Sequence, residues 1–123
     1  MNILIVDDDA VSRTVLAKIL NGIPGVQVTA AEDGTIAWNM LFDPARAFDV
    51  VFLDLSMPAP DGFELLRRIR EVPSLKSLEV IMCTGSNDRA TVVKCAQLGA
   101  RHYIVKPCTE AIVTAKLKQL QAA

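Results

Sequence analysis

The chain of 123 residues has the length of one domain, which we expect to span residues 1–123, and is too short for two of ordinary size. Apolar residues make up 51% of the chain and charged residues 22%, so a sizeable core is expected and intrinsic disorder is not. The formal net charge of -1 lacks the basic excess of proteins that bind phosphate backbones, which argues against a nucleic-acid partner.

Five short apolar runs, rich in valine and isoleucine, alternate with five amphipathic stretches. Such runs are typical of strands buried on both faces, and the stretches between them have helical spacing. The predicted strands are Ile3–Val6, Val26–Ala30, Val50–Leu53, Val80–Cys83 and Tyr103–Val105. The predicted helices are roughly Ala10–Leu20, Thr35–Leu41, Gly62–Arg70, Asp88–Leu98 and Thr109–Gln121, the last with Thr109 as its N-cap. This alternation predicts an α/β fold, a doubly wound parallel sheet of five strands flanked by five helices.

Neither a membrane segment nor a leader peptide is expected. The longest apolar runs have four or five residues, and Met1–Val6 has no basic start and leads directly into three aspartates. The cysteines are Cys83, Cys95 and Cys108, an odd number without a Cys-x-x-Cys pair, so neither a disulfide framework nor a zinc site is predicted. We expect three small apolar residues in a cytoplasmic protein that has no membrane partner.

The residues that follow the predicted strands carry most of the potential chemistry. Strand one is followed by Asp7, Asp8 and Asp9, strand three by Asp54, strand four by Thr84, Gly85 and Ser86, and strand five by Lys106 and Pro107. Residues 32–34, after strand two, have the composition of an ordinary turn. In a doubly wound sheet, sites form beyond the carboxyl ends of the strands at a switch point. Acids, a hydroxyl and an ammonium group could therefore converge on one pocket.

A cluster of carboxylates at the ends of the strands predicts a bound cation. They repel each other, and each has its pKa raised unless a positive charge intervenes. Mg²⁺ is the expected ion, because it takes oxygen ligands, keeps several waters and accepts a phosphate oxygen. A carboxylate beside such an ion can attack a phosphoryl donor and form an aspartyl phosphate. Lys106 would offset the charge on the transferred group, and Thr84 could donate a hydrogen bond to it.

Each of these acids could instead be a helix cap or a solvated turn residue, and Asp9 in particular could serve only as a cap. The coincidence of acid, acid, hydroxyl and ammonium, each directly after a buried strand, favours the functional interpretation.

Four motifs occur in order along the chain. They are Ile-Leu-Ile-Val-Asp-Asp-Asp at 3–9, Asp-Leu-Ser-Met-Pro-Ala-Pro-Asp-Gly-Phe-Glu at 54–64, Cys-Thr-Gly at 83–85 and Tyr-Ile-Val-Lys-Pro at 103–107. Together they make essentially the whole chain resemble the receiver domains of two-component response regulators, of the single-domain, chemotaxis-regulator-like kind. The resemblance implies a flavodoxin-like sandwich with strand order 2-1-3-4-5, in agreement with the periodicity, and a cis peptide bond between Lys106 and Pro107.

The resemblance also implies the acceptor and the metal ligands. Asp54 would take the phosphoryl group from a phosphohistidine on a histidine kinase or a histidine phosphotransfer protein. Mg²⁺ would be bound directly by Asp8, by Asp54 and by the backbone carbonyl of Ser56, and mainly through water by Asp7.

The resemblance also implies a conformational switch that responds to phosphorylation. Thr84 corresponds to the family's switch hydroxyl, Lys106 to the lysine that pairs with the phosphate, and Tyr103 to the rotating aromatic ring. A downstream protein would bind the face formed by helix four, strand five and helix five. Apart from its own phosphorylation and dephosphorylation, the chain is not expected to be an enzyme.

Three other functions are known for folds of this kind. A small aspartyl-phosphate phosphatase of the haloacid-dehalogenase type has its nucleophile after the first strand in an Asp-x-Asp motif, whereas Asp54-Leu55-Ser56 lacks the second acid. A flavodoxin-like electron carrier needs a loop that cradles a flavin phosphate after strand one, where the three aspartates would repel it. A phosphate-independent adaptor of the same fold stays open.

Overall fold

A five-stranded parallel sheet forms the centre of the molecule in the computed structural model, which describes residues 1–43, 45–85 and 89–122. The strands are β1 (Asn2–Val6), β2 (Gln27–Ala31), β3 (Val50–Asp54), β4 (Glu79–Thr84) and β5 (His102–Val105). Their order is β2-β1-β3-β4-β5, and every neighbouring pair is parallel. The predicted fold class and strand order are therefore confirmed, with strand bounds that differ from the prediction by one residue.

Five α-helices connect and follow the strands. They are α1 (Ala10–Asn21), α2 (Gly34–Leu41), α3 (Gly62–Glu71), α4 (Arg89–Gln97) and α5 (Glu110–Ala122), with a short 3-10 helix at Pro73–Leu75 before β4. The predicted start of the fourth helix, Asp88, lies outside the described residues. Within the described part of the chain, no helix is both long enough and apolar enough to cross a membrane.

Helices cover both faces of the sheet, and successive strand residues point to opposite faces, so each strand contributes side chains to two core layers. One face packs residues such as Val51 and Leu53 against α2, α3 and Cys95 of α4. The other face packs residues such as Phe52 and Ile104 against α1 and α5. All five residues of β3, the central strand, are buried, and this fixes the position of Asp54 at its carboxyl end.

Among the described residues, side chains cap the starts of α1, α2, α3 and α5 near this edge of the sheet. Asp9 accepts from Val11 N–H at 3.1 Å at the start of α1, and Asp33 and Asp61 cap α2 and α3 in the same way. Thr109 Oγ1 accepts from Ile112 N–H at 3.3 Å, which confirms the predicted cap of α5. Asp9 is thus a helix cap, as the alternative interpretation of that residue expected.

Gly62, the first residue of α3, lies directly against the backbone of Asp54. A Cβ atom at Gly62 would be 2.4 Å from Asp54 O and 2.8 Å from Leu55 Cα, so only glycine fits. We expect Gly62→Ala to lower the free energy of unfolding by about 2 kcal/mol. In Gly85→Ala, the matched control, the added Cβ meets no atom within 4 Å, and the change should stay within about 0.5 kcal/mol. Equal stability of the two variants in denaturant titrations would contradict this close approach.

Candidate functional site

Two buried carboxylates and one ammonium group meet at the carboxyl ends of the strands. Asp7 follows β1 and is 3% exposed, and Asp54 ends the neighbouring β3 and is 4% exposed. Lys106 follows β5, and its Nζ lies 3.1 Å from Asp7 Oδ2 and 3.5 Å from Asp54 Oδ1. The Lys106 N–H donates to Thr84 O at 2.7 Å, which anchors the lysine backbone to the end of β4. The parallel strand order thus brings together residues that are far apart in sequence.

The environment of Asp54 disfavours its ionised form. Burial raises the pKa of this carboxyl above its ordinary value. The N–H of Ser56, which donates to Asp54 Oδ1 at 3.2 Å, and the charge of Lys106 oppose the rise, whereas the Asp7 carboxylate adds to it. Asp54 is therefore a desolvated carboxylate next to a like charge.

The environment of Asp7, in contrast, favours its ionised form. Burial alone would raise its pKa, but hydrogen bonds from the Asp9 N–H, from Ser12 and from Lys106 outweigh burial, so the pKa of Asp7 is lowered. The same neighbours act on the lysine: burial would lower the pKa of Lys106, and its contacts with Asp7 and Asp54 raise it instead. Asp7 and Lys106 therefore form an ion pair at 3.1 Å, and the carboxylate of Asp54 adds a buried negative charge that Lys106 alone does not balance.

This imbalance predicts a pH-dependent effect of Asp54→Asn on stability when a chelator removes divalent metals. The folded protein binds the Asp54 proton more tightly than the unfolded chain does. The ionised carboxylate therefore destabilises the fold above the ordinary aspartate pKa, and stability is gained as pH falls through the raised pKa. Near neutral pH we expect the variant to be more stable by about 1 kcal/mol.

Denaturant titrations at several pH values measure this difference, which should shrink as the pH approaches the ordinary aspartate pKa. Glu32→Gln, at an exposed acid in the turn after β2, is the matched control for the loss of one carboxylate, and Asp54→Asn should stabilise the protein more than this control does near neutral pH. A less stable Asp54→Asn protein at neutral pH would contradict the pKa direction.

Asp8 completes a cluster of acids that could hold a metal ion. It is exposed at the rim, and one carboxylate oxygen each from Asp7, Asp8 and Asp54 lie within 4.8 Å of one another. All three donors are hard oxygens, and the cluster carries more negative charge than Lys106 balances, so these residues fit a divalent ion such as Mg²⁺. Ser56 is exposed beside them, and the role of its carbonyl stays a prediction.

The two residues of the predicted switch lie on neighbouring strands. Thr84 ends β4 and is 5% exposed, whereas Tyr103 in β5 is 40% exposed. Tyr103 is paired with Met82, two residues before Thr84, so both side chains are on the same face of the sheet. Lys116 of α5 has its Nζ 5.9 Å from the centroid of the Tyr103 ring. The aromatic ring thus lies at the edge of the sheet with solvent on one side.

Comparison with known proteins identifies the architecture. Residues 3–118 match the family described as the response regulator receiver domain. The chain belongs to this family. The receiver domain is 35% identical to chemotaxis protein CheY of Pseudomonas aeruginosa over 120 residues, which cover 98% of this chain and 95% of that protein. Chemotaxis protein CheY-3 of Vibrio cholerae is 38% identical over 120 residues, with coverages of 98% and 91%.

The fold is also similar to solved receiver structures. The signal receiver domain of a DNA-binding response regulator from Colwellia psychrerythraea is 31% identical, with a TM-score of 0.89 and coverage of 100% of this chain and 99% of that one. The recognition of the family from its four motifs is therefore confirmed, together with the order in which the strands place those motifs.

Several neighbours of the receiver site were not found from the sequence. Arg13 of α1 donates from its Nη1 to Asp7 O at 2.8 Å, and Ser12 hydrogen-bonds to the Asp7 side chain. Both residues lie in the first turns of α1, which follow the three aspartates directly, and this proximity was the one signal that could have indicated them. They hold Asp7 in place from the helix side.

The cysteines form a second feature of the site. Cys83 and Cys95 are buried, and Cys108 is partly buried. The thiols of Cys83 and Cys108 interact with each other: Cys83 and the charge of Lys106 lower the pKa of Cys108, whereas Cys108 and burial raise the pKa of Cys83. The expectation of three small apolar residues fits all three cysteines, since Cys108 in the turn after β5 is partly exposed but still packs against the core.

Proposed function

We propose that Asp54 accepts a phosphoryl group from a phosphohistidine on a histidine kinase or histidine phosphotransfer protein. The observation that carries this proposal is the arrangement of Asp54 itself. It is a buried carboxylate at the end of the central strand, beside a second buried carboxylate and within 3.5 Å of the Lys106 ammonium group. Membership of the receiver family supports the same assignment.

In the proposed reaction, an oxygen of the ionised Asp54 attacks phosphorus. The new P–O bond forms as the P–N bond of the phosphohistidine breaks and its electron pair returns to the imidazole nitrogen. Lys106 would pair with the phosphoryl oxygens, and Thr84 would donate a hydrogen bond to one of them. Asp7, Asp8, Asp54 and the Ser56 carbonyl would hold Mg²⁺, which supplies further positive charge next to the transferred group when it is bound.

Intact-mass measurement after incubation with acetyl phosphate and Mg²⁺ tests this function. The wild type should gain the mass of one phosphoryl group, and excess chelator should prevent the gain. Asp54→Asn should gain none, whereas Asp9→Asn, at an exposed acid outside the cluster whose capping role asparagine keeps, should be labelled like wild type. A wild type without the added mass would favour the phosphate-independent adaptor instead.

We propose that this domain turns over no substrate beyond its own phosphoaspartate and that it acts in the cytoplasm. The residue two positions after Asp54 is Ser56, which lacks the carboxylate that a phosphatase of the haloacid-dehalogenase type uses there. Hydrolysis of p-nitrophenyl phosphate should therefore stay at the level of the buffer alone. Sustained hydrolysis that Asp54→Asn abolishes would favour the phosphatase.

The proposed output is a protein partner, not a nucleic acid, on the face formed by α4, β5 and α5. A phosphoryl group on Asp54 would draw the hydroxyl of Thr84 towards it, and Tyr103 could then pack into the space that Thr84 leaves. Each contact contributes about 1 kcal/mol, so we expect a biased equilibrium between two states.

Amide chemical shifts with and without beryllofluoride test this switch. Thr84→Ala should still bind the phosphate mimic but lose most of the shift changes in α4 and α5. Thr84→Ser keeps the hydroxyl and is the matched control, which should retain them. Distal shifts in Thr84→Ala that equal those of wild type would rule out this route.

A further inference from the structure

A pair of cysteines lies next to the acceptor site. Cys83 of β4 is paired with Asp54 in the sheet, and its carbonyl accepts from the Leu55 N–H at 3.0 Å. Cys108 lies two residues beyond Lys106, in the turn between β5 and α5. Both side chains pack into the same core layer under α1 and α5, and the hydrogen bond from Lys106 N–H to Thr84 O, at 2.7 Å, holds the two segments together. The two thiols interact with each other there. The two thiols are therefore neighbours beside the turn that carries Lys106.

The two thiols differ in access to solvent. Cys83 is 3% exposed. Cys108 is partly exposed and lines a surface pocket of about 380 Å³ together with Val11, Val15 and Lys106. A small oxidant can therefore reach Cys108 first, and the buried Cys83 is then positioned to react with it. Cys95 packs in the other core layer, on the opposite face of the sheet, and has no part in this pair.

We propose that Cys83 and Cys108 form an intramolecular disulfide on exposure to a hydroperoxide, and that this bond slows phosphoryl uptake at Asp54. The second clause rests on the proposed function, whereas the first does not.

The reaction balances in two steps. The sulfur of Cys108 attacks the peroxide, an S–O bond forms as the O–O bond breaks, and the thiol proton leaves with the alkoxide as an alcohol, or as water when the oxidant is hydrogen peroxide. The sulfur of Cys83 then attacks the sulfenic acid. An S–S bond forms as the S–O bond breaks, and hydroxide leaves with the Cys83 proton as water. The two thiols are oxidised by two electrons, and the peroxide is reduced.

The bond would alter the acceptor site through Lys106. The sulfur atoms must approach to about 2 Å, which would pull the turn after β5 towards the end of β4. Lys106 is two residues from Cys108, and its Nζ holds contacts of 3.1 Å and 3.5 Å with the acids. A small displacement of this group is expected to slow phosphoryl uptake roughly 10-fold.

Peptide mapping of protein treated with hydrogen peroxide tests the first clause. The treated protein should lose the mass of two hydrogen atoms, and digestion without reductant should yield one peptide that links Cys83 to Cys108. Dithiothreitol should reverse both changes. Cys95→Ser should behave like wild type, and Cys108→Ser, at a partly exposed position where serine is tolerated, should form no linked peptide. Two thiols that both stay alkylatable, a stable sulfinic acid on Cys108 or a disulfide between molecules would overturn the proposal.

The second clause is tested by labelling oxidised and reduced protein with acetyl phosphate. The oxidised wild type should be labelled more slowly than the reduced wild type, whereas treated and untreated Cys108→Ser should be labelled at the same rate. Equal rates for oxidised and reduced wild type would overturn the regulatory effect and leave the disulfide established. Failure of the reduced protein to be labelled would instead refute the proposed function, and with it the regulatory clause.

Discussion

Lys106→Met is expected to slow phosphoryl uptake by Asp54 roughly 100-fold, as the loss of a preorganised donor at a site of developing charge usually does. Among the described residues, Lys106 forms ion pairs with both Asp7 and Asp54, at 3.1 Å and 3.5 Å. Methionine has a similar length and keeps the packing of the aliphatic chain but carries no charge. The rate of mass gain with acetyl phosphate, at saturating Mg²⁺, measures the effect.

Two further variants make this test specific. Lys106→Arg keeps a positive charge in a different geometry, and its labelling rate should lie between the rates of Lys106→Met and wild type. Lys76→Met should leave the labelling rate unchanged, because this exposed lysine precedes β4 and so lies at the end of the strand that is remote from the acid cluster. A Lys106→Met protein that is labelled as fast as wild type would show that the ammonium group does not act on the phosphoryl group.

Asp8→Ala is expected to weaken Mg²⁺ binding roughly 10- to 100-fold, and more than Asp7→Ala does. Asp8 is the exposed member of the acid cluster, whereas Asp7 is already paired with Lys106 and is expected to act mainly through water. Binding can be followed by thermal unfolding, because an ion at 100 times its Kd stabilises the folded protein by about 2.7 kcal/mol. The Asp8→Ala curve should therefore shift to higher Mg²⁺ concentration.

Asp9→Asn is the control for the loss of one acid from the same run. It removes a neighbouring negative charge but keeps the cap of α1, so the Mg²⁺ titration should match that of wild type. If Asp9→Asn and Asp8→Ala shift the titration equally, the effect reports the general negative charge of the loop, and direct ligation by Asp8 is contradicted.

The fold was predictable because the sheet is buried on both faces. The runs that became β1, β3 and β4 are almost wholly apolar, and composition gives their bounds to within one residue. β2 begins one residue later than predicted and is partly exposed at the edge of the sheet, so its pattern is weaker. The convergence of Asp7, Asp54 and Lys106 was also predictable, because parallel strands end at the same edge.

Contacts that depend on side-chain direction could not be predicted. Arg13 reaches back over the start of α1 to the carbonyl of Asp7, and no spacing rule indicates this contact. The contact between Cys83 and Cys108 depends on how the turn after β5 folds back towards β4, over a separation of 25 residues. Such contacts arise from tertiary packing, and sequence periodicity carries no information about them.

Localisation of the phosphoryl group at the level of single residues tests the central claim most directly. Labelled protein can be treated with borohydride, which reduces an acyl phosphate to an alcohol and so converts the modified aspartate into homoserine. Peptide sequencing by mass spectrometry then identifies the converted position. Homoserine should appear at Asp54 and nowhere else in the chain. Conversion at Asp7 or Asp8, or no conversion in protein that gained the phosphoryl mass, would contradict the assignment of Asp54 as the acceptor.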